Sequence, residues 1–344
     1  MLPRGRDTRT YMLRIPNLPV RKKYRSIAVL TSGGDAPGMN AAIRAVVRYG
    51  LAQGLEVNGV FRGYQGLLEG RIERLEASSV ANIIQRGGTL LKTARCPDFH
   101  KKSARKEAAN ILRRKGIETL VVIGGDGSFR GAHLLQNETR YPCIGVPGTI
   151  DNDIFGSDDT IGFDTAVNTA LDAIDRIRDT ASSHDRIFLV EVMGRSSGFI
   201  GLLTGIGGGA ETVVIPEEKQ SIQSICATID RGIKRGKSSS IIVVSEGSTP
   251  GLSQKIADQL DERGYSPKVC ILGHTQRGGS PTAHDRLLGS VLGASAVAFL
   301  LNGKSNAMVG VQSGGVTLVP FQKLAGRSKL IPTDLLQISR VLSS

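Results

Sequence analysis

One pattern recurs along this chain and limits its fold more than any other feature: a short β-branched apolar run, a glycine-rich or charged turn, then an amphipathic stretch. Ile27-Ala28-Val29-Leu30 leads into Thr31-Ser32-Gly33-Gly34-Asp35-Ala36-Pro37-Gly38, after which Ile43, Val46, Val47 and Leu51 fall on one helical face. The same order follows Leu120-Val121-Val122-Ile123, Cys143-Ile144-Gly145-Val146, Ile187 to Val192, Ile241-Ile242-Val243-Val244 and Val269-Cys270-Ile271-Leu272. Several of these runs are apolar on both faces, as strands covered by helices on each side must be. Strands alternating with helices give a parallel sheet, so the chain reads as a doubly wound α/β protein. With 344 residues it exceeds the usual size of one core, and a crossover between two domains is expected near Gly156 to Gly162.

Two helices are legible in detail. Ala104 to Lys115 ends in a cationic last turn before Gly116, a residue suited to a left-handed cap. Phe163 to Asp179 carries Val167, Leu171, Ile174 and Ile177 on one face. No apolar run approaches the roughly 20 residues of a bilayer span, and no secretory signal opens the chain, so no membrane partner is expected. Cys96, Cys143, Cys226 and Cys270 form no C-x-x-C pair, which points away from zinc and disulfides and toward a cytoplasmic location.

The net charge of +13 invites a nucleic-acid reading. About half of it lies in residues 1–25, where Arg4, Arg6, Arg9, Arg14, Arg21, Lys22, Lys23 and Arg25 face only Asp7. With three prolines and no helical period, this stretch reads as a basic flexible extension, and no aromatic interleaving or recognition module supports nucleic acid. The remaining charge suits an enzyme that binds phosphorylated anions. Forty-three glycines point to turns where backbone approaches a ligand closely.

Chemistry concentrates in loops after the strands, where open α/β sheets bind ligands. Neither G-x-G-x-x-G after the first strand nor a Walker A loop is present. Ser32 to Gly38 exposes backbone amides at a helix start, suited to phosphate but equally to a tight structural turn. Gly124-Gly125-Asp126-Gly127-Ser128 is stronger, because glycines flanking Asp126 let polyphosphate and a hydrated Mg²⁺ reach one carboxylate. In Gly148-Thr149-Ile150-Asp151-Asn152-Asp153, strand-like alternation would put Asp151 and Asp153 on one side, one as proton acceptor and one near metal. Arg195, closing Met193-Gly194-Arg195, could neutralise a phosphoryl group in transfer; a surface ion pair is the alternative. Gly273 to Gly279 offers donors for a sugar phosphate, although His274 alone could be a buried structural histidine.

Together these strings resemble the bacterial-type ATP-dependent 6-phosphofructokinase family, from about Ser26 almost to the C-terminus. They are Leu30 to Ala42, Gly124 to Ser128, Pro147 to Asp153, Glu191 to Arg195 and Gly273 to Pro281. The resemblance implies two doubly wound Rossmann-like domains in a phosphofructokinase fold. Residues 26–162 plus 276–326 would form a larger nucleotide-binding domain, and 163–275 plus 327–344 a smaller sugar-phosphate-binding domain. It implies transfer of the γ-phosphoryl group of Mg-ATP to the 1-hydroxyl of fructose 6-phosphate, the committed step of glycolysis. Asp151 would be the base, and Thr149 and Arg195 would stabilise the moving phosphoryl group. Gly34, Arg95, Cys96, Gly125, Asp126, Gly127 and Ser128 would line the nucleotide site, with Asp126 and Asp153 near Mg²⁺. Thr149, Ile150, Asp151, Met193, Gly194, Arg195, Glu246, His274, Thr275, Gln276 and Arg277 would meet the sugar phosphate. Arg186 and Lys268 would reach in from a neighbouring subunit of a homotetramer with interfacial active sites.

The resemblance also frames the donor and the regulation. Pyrophosphate-using relatives typically carry Asp and Lys where this chain has Gly127 and Gly148, so glycine at both implies ATP. Cys96 stands where the family commonly has Phe, and Lys268 where many members have Arg; lysine keeps the charge but loses the bidentate fork. A phosphorylated effector would meet Arg44, Arg48, Arg178, Glu211, Arg235 and Lys237, while Ala77 to Asn82 lacks the Arg, Tyr and Asp of well-known members. The other readings are a pyrophosphate-dependent or other sugar-phosphate kinase, and a non-enzymatic polyanion binder.

Overall fold

The computed structural model describes residues 13, 15–21, 24–184, 186–247 and 251–343, without the side chains of Ser182 and His184. Strands are β1 (Ser26–Ser32), β2 (Glu56–Val60), β3 (Ile72–Leu75), β4 (Thr119–Gly124), β5 (Cys143–Pro147), β6 (Ile187–Val192), β7 (Thr212–Val214), β8 (Ser240–Ser245), β9 (Lys268–Ile271), β10 (Ala307–Gln312) and β11 (Gly315–Pro320). They divide between two compact units. One comprises the described residues of Met1–Thr149, Ile154–Gly162 and Ser280–Ser328, the other those of Ile150–Asp153, Phe163–Gly279 and Lys329–Ser344.

The first unit holds a seven-stranded sheet in the order β11-β10-β5-β4-β1-β2-β3. Its five central strands run parallel, and β3 and β11 close the two edges antiparallel. All residues of β1, β4 and β5 are buried, which is why their central residues are apolar on both faces. β2 and the edge strand β3 were not apparent from apolar runs, because β2 carries Asn58 and Gly59 and β3 carries Glu73 and Arg74. Gly59 is dictated by packing: a Cβ there would stand 2.8 Å from Leu75 and Leu91. One face is filled by Leu30, Leu67, Leu112, Leu120, Phe129 and Phe321.

Helices Met39–Ala52 and Ala283–Leu301 pack closely because glycines face them: Cβ atoms at Gly289 and Gly293 would stand 2.8 Å from the Gly38 carbonyl and 2.5 Å from that of Ala42. Contrary to the reading that no segment is long and apolar enough to span a bilayer, Ala283–Leu301 is by length and composition; 78% of its most apolar window is buried in the core. Most of the basic stretch expected to be a flexible extension lies outside the described residues. Of the described part, the Arg21 amide donates to the Leu301 carbonyl at 2.8 Å and Asn302 donates to the Pro19 carbonyl at 2.9 Å.

The second unit holds four parallel strands in the order β7-β8-β6-β9. Leu189, Ile242, Val244, Ile225, Ile229 and Leu260 form the core of one face. Helix Phe163–His184 runs further than the sequence pattern suggested, while Lys102–Arg114 ends near the expected point, with Gly116 left-handed at φ +69°.

Candidate active site

Three loops of the first unit emerge side by side, because β5, β4 and β1 are neighbours and Ser32, Gly124 and Pro147 lie level in the register. Gly124 is required by packing: a Cβ would meet the Ser32 carbonyl at 2.4 Å and the Ser128 hydroxyl at 2.6 Å. The next glycines differ. A Cβ at Gly127 would meet nothing within 4 Å, and one at Gly125 only Thr149, at 3.9 Å. These two positions keep space open above the start of helix Asp126–Thr139, whose first-turn amides and dipole favour an anion. Asp126 is the first residue of that helix, its carboxylate half-exposed and 3.9 Å from Arg130.

Gly34 and Arg95 are exposed, Cys96 is half-buried against the core, and Ser128 is buried. Gly38, left-handed at φ +99°, answers to packing, since a Cβ would lie 2.8 Å from Ile161. Gly148 does so too: its Cβ would be 2.9 Å from the fully buried Met39. Thr149 is held through its amide to the Ile161 carbonyl at 3.1 Å and through its carbonyl, which accepts from Thr160 at 2.7 Å.

In the second unit, Val192 is level with Ser245 and Glu191 with Ile271, so the loops after β6, β8 and β9 also open at one end. Asp151 is 3% exposed, with its Oδ2 3.7 Å from Arg195 Nε. Burial raises the Asp151 carboxyl above the usual aspartate range and neighbouring Asp153 adds to this; Arg195 and Arg277 oppose it, and Glu246 raises it further. The two carboxylates are neighbours, but not through strand alternation. Asn152 is left-handed at φ +49°, so the segment turns, and the alternation argument fails at that residue.

Arg195 is itself left-handed at φ +53°, its amide donating to Glu246 Oε1 at 2.9 Å. Gly194 sits at φ +140°, and a Cβ would strike the Ser197 carbonyl at 2.3 Å. Arg195 therefore leaves the strand through a sharp turn with its guanidinium 66% exposed, available to an anion. His274 is exposed, which removes its reading as a buried structural histidine; Thr275 is exposed and Arg277 half-buried.

Two residues expected to meet the sugar phosphate have buried side chains, which leaves their backbone as the part that could meet a ligand. The Ile150 side chain is wholly buried. Gln276 is also fully buried, its Oε1 accepting from the Met193 amide at 2.8 Å and its Nε2 donating to the Ala166 carbonyl at 3.4 Å, so its carboxamide supports the arginine turn. Arg186 and Lys268 flank the amino ends of β6 and β9, with Lys268 level with Phe188. The carboxyl end of the six-residue β6 is roughly 16–20 Å away.

The expected effector residues fall in both units. Arg178 caps the end of helix Phe199–Gly207 through the Gly208 and Gly209 carbonyls. Glu211, 6% exposed, accepts from Lys237 at 3.1 Å and from the Ile241 amide at 2.6 Å. Arg235 follows helix Ile222–Lys234, and Arg44 and Arg48 lie on helix Met39–Ala52. Sequence reasoning assigned nothing to Ser197, whose buried hydroxyl donates to the Asp151 carbonyl at 3.0 Å. No residue-type signal separated it from Ser196.

Comparisons with known proteins show the family. Residues 26–300 match the family model described as Phosphofructokinase. The chain is 53% identical over 320 residues, 93% of its own length and 99% of the relative's, to ATP-dependent 6-phosphofructokinase 1 of Thermus thermophilus. It is 49% identical over 321 residues, 93% of its length and 98% of the relative's, to ATP-dependent 6-phosphofructokinase 2 of Bacteroides thetaiotaomicron. Among solved structures, phosphofructokinase from Saccharomyces cerevisiae superposes with a TM-score of 0.83 at 35% identity, covering 93% of this chain; this chain spans about half, 48%, of the yeast chain. A pyrophosphate-dependent phosphofructokinase from Marinobacter aquaeolei shares the fold at a TM-score of 0.81 and 21% identity, over 93% of this chain and 92% of that one. With a family model spanning most of its length and near-full-length relatives about half identical, the chain belongs to the phosphofructokinase family.

Proposed function

We infer that the chain is an ATP-dependent 6-phosphofructokinase acting in cytosolic glycolysis, transferring the γ-phosphoryl group of ATP to the 1-hydroxyl of fructose 6-phosphate. The observation that carries this reading is the Asp151 carboxyl, buried and raised above its usual range while Arg195 stands 3.7 Å away. A carboxylate so placed can take the proton of the sugar hydroxyl as its oxygen bonds to the γ-phosphorus and the bond to the bridging oxygen of ATP breaks. The exposed Arg195 guanidinium neutralises charge on the transferring group, and Thr149 donates to it. Met193, Gly194, Glu246, His274, Thr275 and Arg277 hold the sugar phosphate.

Gly34, Arg95, Cys96 and Gly125 to Ser128 form the nucleotide cradle, on the strength of the open space at Gly125 and Gly127. The half-exposed Asp126 carboxylate, beside the open space at Gly127, fits Mg²⁺, which keeps its waters and binds through one or two carboxylates plus substrate phosphates. Asp126 and Asp153 would hold it, and it would neutralise phosphate charge. Arg186 and Lys268, at the amino ends of their strands, would serve a neighbouring copy in a homotetramer. Arg44, Arg48, Arg178, Glu211, Arg235 and Lys237 would take a phosphorylated effector.

A coupled assay with fructose 6-phosphate tests the reading by comparing donors. Turnover is expected with ATP and not with pyrophosphate; product from pyrophosphate alone would replace the donor assignment, and product from neither would remove the activity.

A further inference from the structure

The turn bearing Arg195 and the loop bearing Asp151 come from separate parts of the second unit and are tied by one side chain. Ser197 is 5% exposed; its amide donates to the Gly194 carbonyl at 2.9 Å, closing the arginine turn, and its hydroxyl donates to the Asp151 carbonyl at 3.0 Å. Left-handed residues stand on both sides of this tie, Arg195 at φ +53° and Asn152 at φ +49°. Such conformations persist where surrounding contacts over-determine them. Glu246 supplies one such contact, to the Arg195 amide. Ser197 supplies another, to the peptide that enters Asn152.

We propose that Ser197 is a positioning residue for phosphoryl transfer: its hydroxyl fixes the backbone of the Asp151 loop to the arginine turn and so sets the separation of base and guanidinium. The proposal rests on the roles of Asp151 and Arg195 given above. Chemistry that depends on aligned groups is sensitive to such a tie, because a displacement of about 1 Å costs about 100-fold in rate.

The test compares wild type with Ser197→Ala and Ser197→Thr, measuring kcat, KM for both substrates and the melting temperature. Ser197→Ala is expected to lose about fivefold in kcat, equivalent to about 1 kcal/mol, with KM for ATP unchanged. Ser197→Thr, which keeps the hydroxyl, should recover kcat. A Ser197→Ala kcat equal to that of wild type overturns the proposal, as does an equal loss in Ser197→Thr at unchanged melting temperature. If Ser197→Ala is too unstable to assay, Ser197→Cys keeps the volume, weakens the donor and gives the same reading. Wild type without turnover removes this proposal and the assigned activity together, whereas active wild type with an unaffected Ser197→Ala removes this proposal alone.

Discussion

Replacing Gly194 by alanine perturbs the candidate site without touching a charged group. A Cβ at this position would lie 2.3 Å from the Ser197 carbonyl oxygen, a backbone atom, where ordinary contact begins at 3.4 Å. The turn must therefore open by about 1 Å, a displacement worth about 100-fold when it misplaces a catalytic group. The backbone adds to this, because φ +140° is a conformation that side chains rarely adopt and holding alanine there costs of order 1–3 kcal/mol. The strain is relieved most directly by swinging Arg195 away from Asp151, since Arg195 is the exposed member of that pair. Steady-state kinetics with ATP and fructose 6-phosphate should show kcat down by about 30- to 100-fold, with KM for ATP within a factor of about two. The ATP constant is the internal control, since the nucleotide cradle belongs to the first unit. A Gly194→Ala protein with kcat within about threefold of wild type and an unchanged melting temperature would refute the reasoning that this turn sets the arginine.

Asp151→Asn should lower kcat by about 100- to 10,000-fold while leaving the melting temperature equal or higher. The sign follows from the raised carboxyl: protonation favours the folded chain, so this site adds stability below the ordinary aspartate range and loses it as pH rises through the raised value, and asparagine mimics the protonated form. For the same reason wild-type kcat should fall as pH drops through a value above that range, and an acid limb at the ordinary aspartate pKa would contradict the burial argument. Gly127→Ala should fold normally and raise KM for ATP, whereas Gly148→Ala, pressed against Met39, should lose about 1–3 kcal/mol in denaturant melts. Arg105→Ala should cost about 3–5 kcal/mol, because it strands the largely buried Glu138 carboxylate that Arg105 grips through Nε at 2.8 Å and Nη2 at 2.6 Å. Lys268→Arg should lower the half-saturating fructose 6-phosphate concentration, and an unchanged value would count against a phosphate contact there.

The parallel core of both sheets was legible because its strands are covered on two faces, and that burial writes an unbroken apolar run into the sequence. The edge strands leave no such trace. β3 has one buried residue in four and β11 one in six, so neither writes an apolar run into the sequence. Legibility at the site divides along the same line. Asp126, Asp151 and Arg195 stand out because a charge at the end of an apolar strand has few structural uses, and glycines around it signal a close approach. Glycine alone does not say what approaches: Gly124, Gly148 and Gly194 make way for the protein's own atoms, while Gly125 and Gly127 face open space. Only coordinates separate the two kinds, and the distinction changes the argument about the phosphate donor. At Gly127 a larger side chain would enter space that a ligand could use. At Gly148 its first carbon would meet Met39, so the glycine there is fixed by the core before any donor is considered.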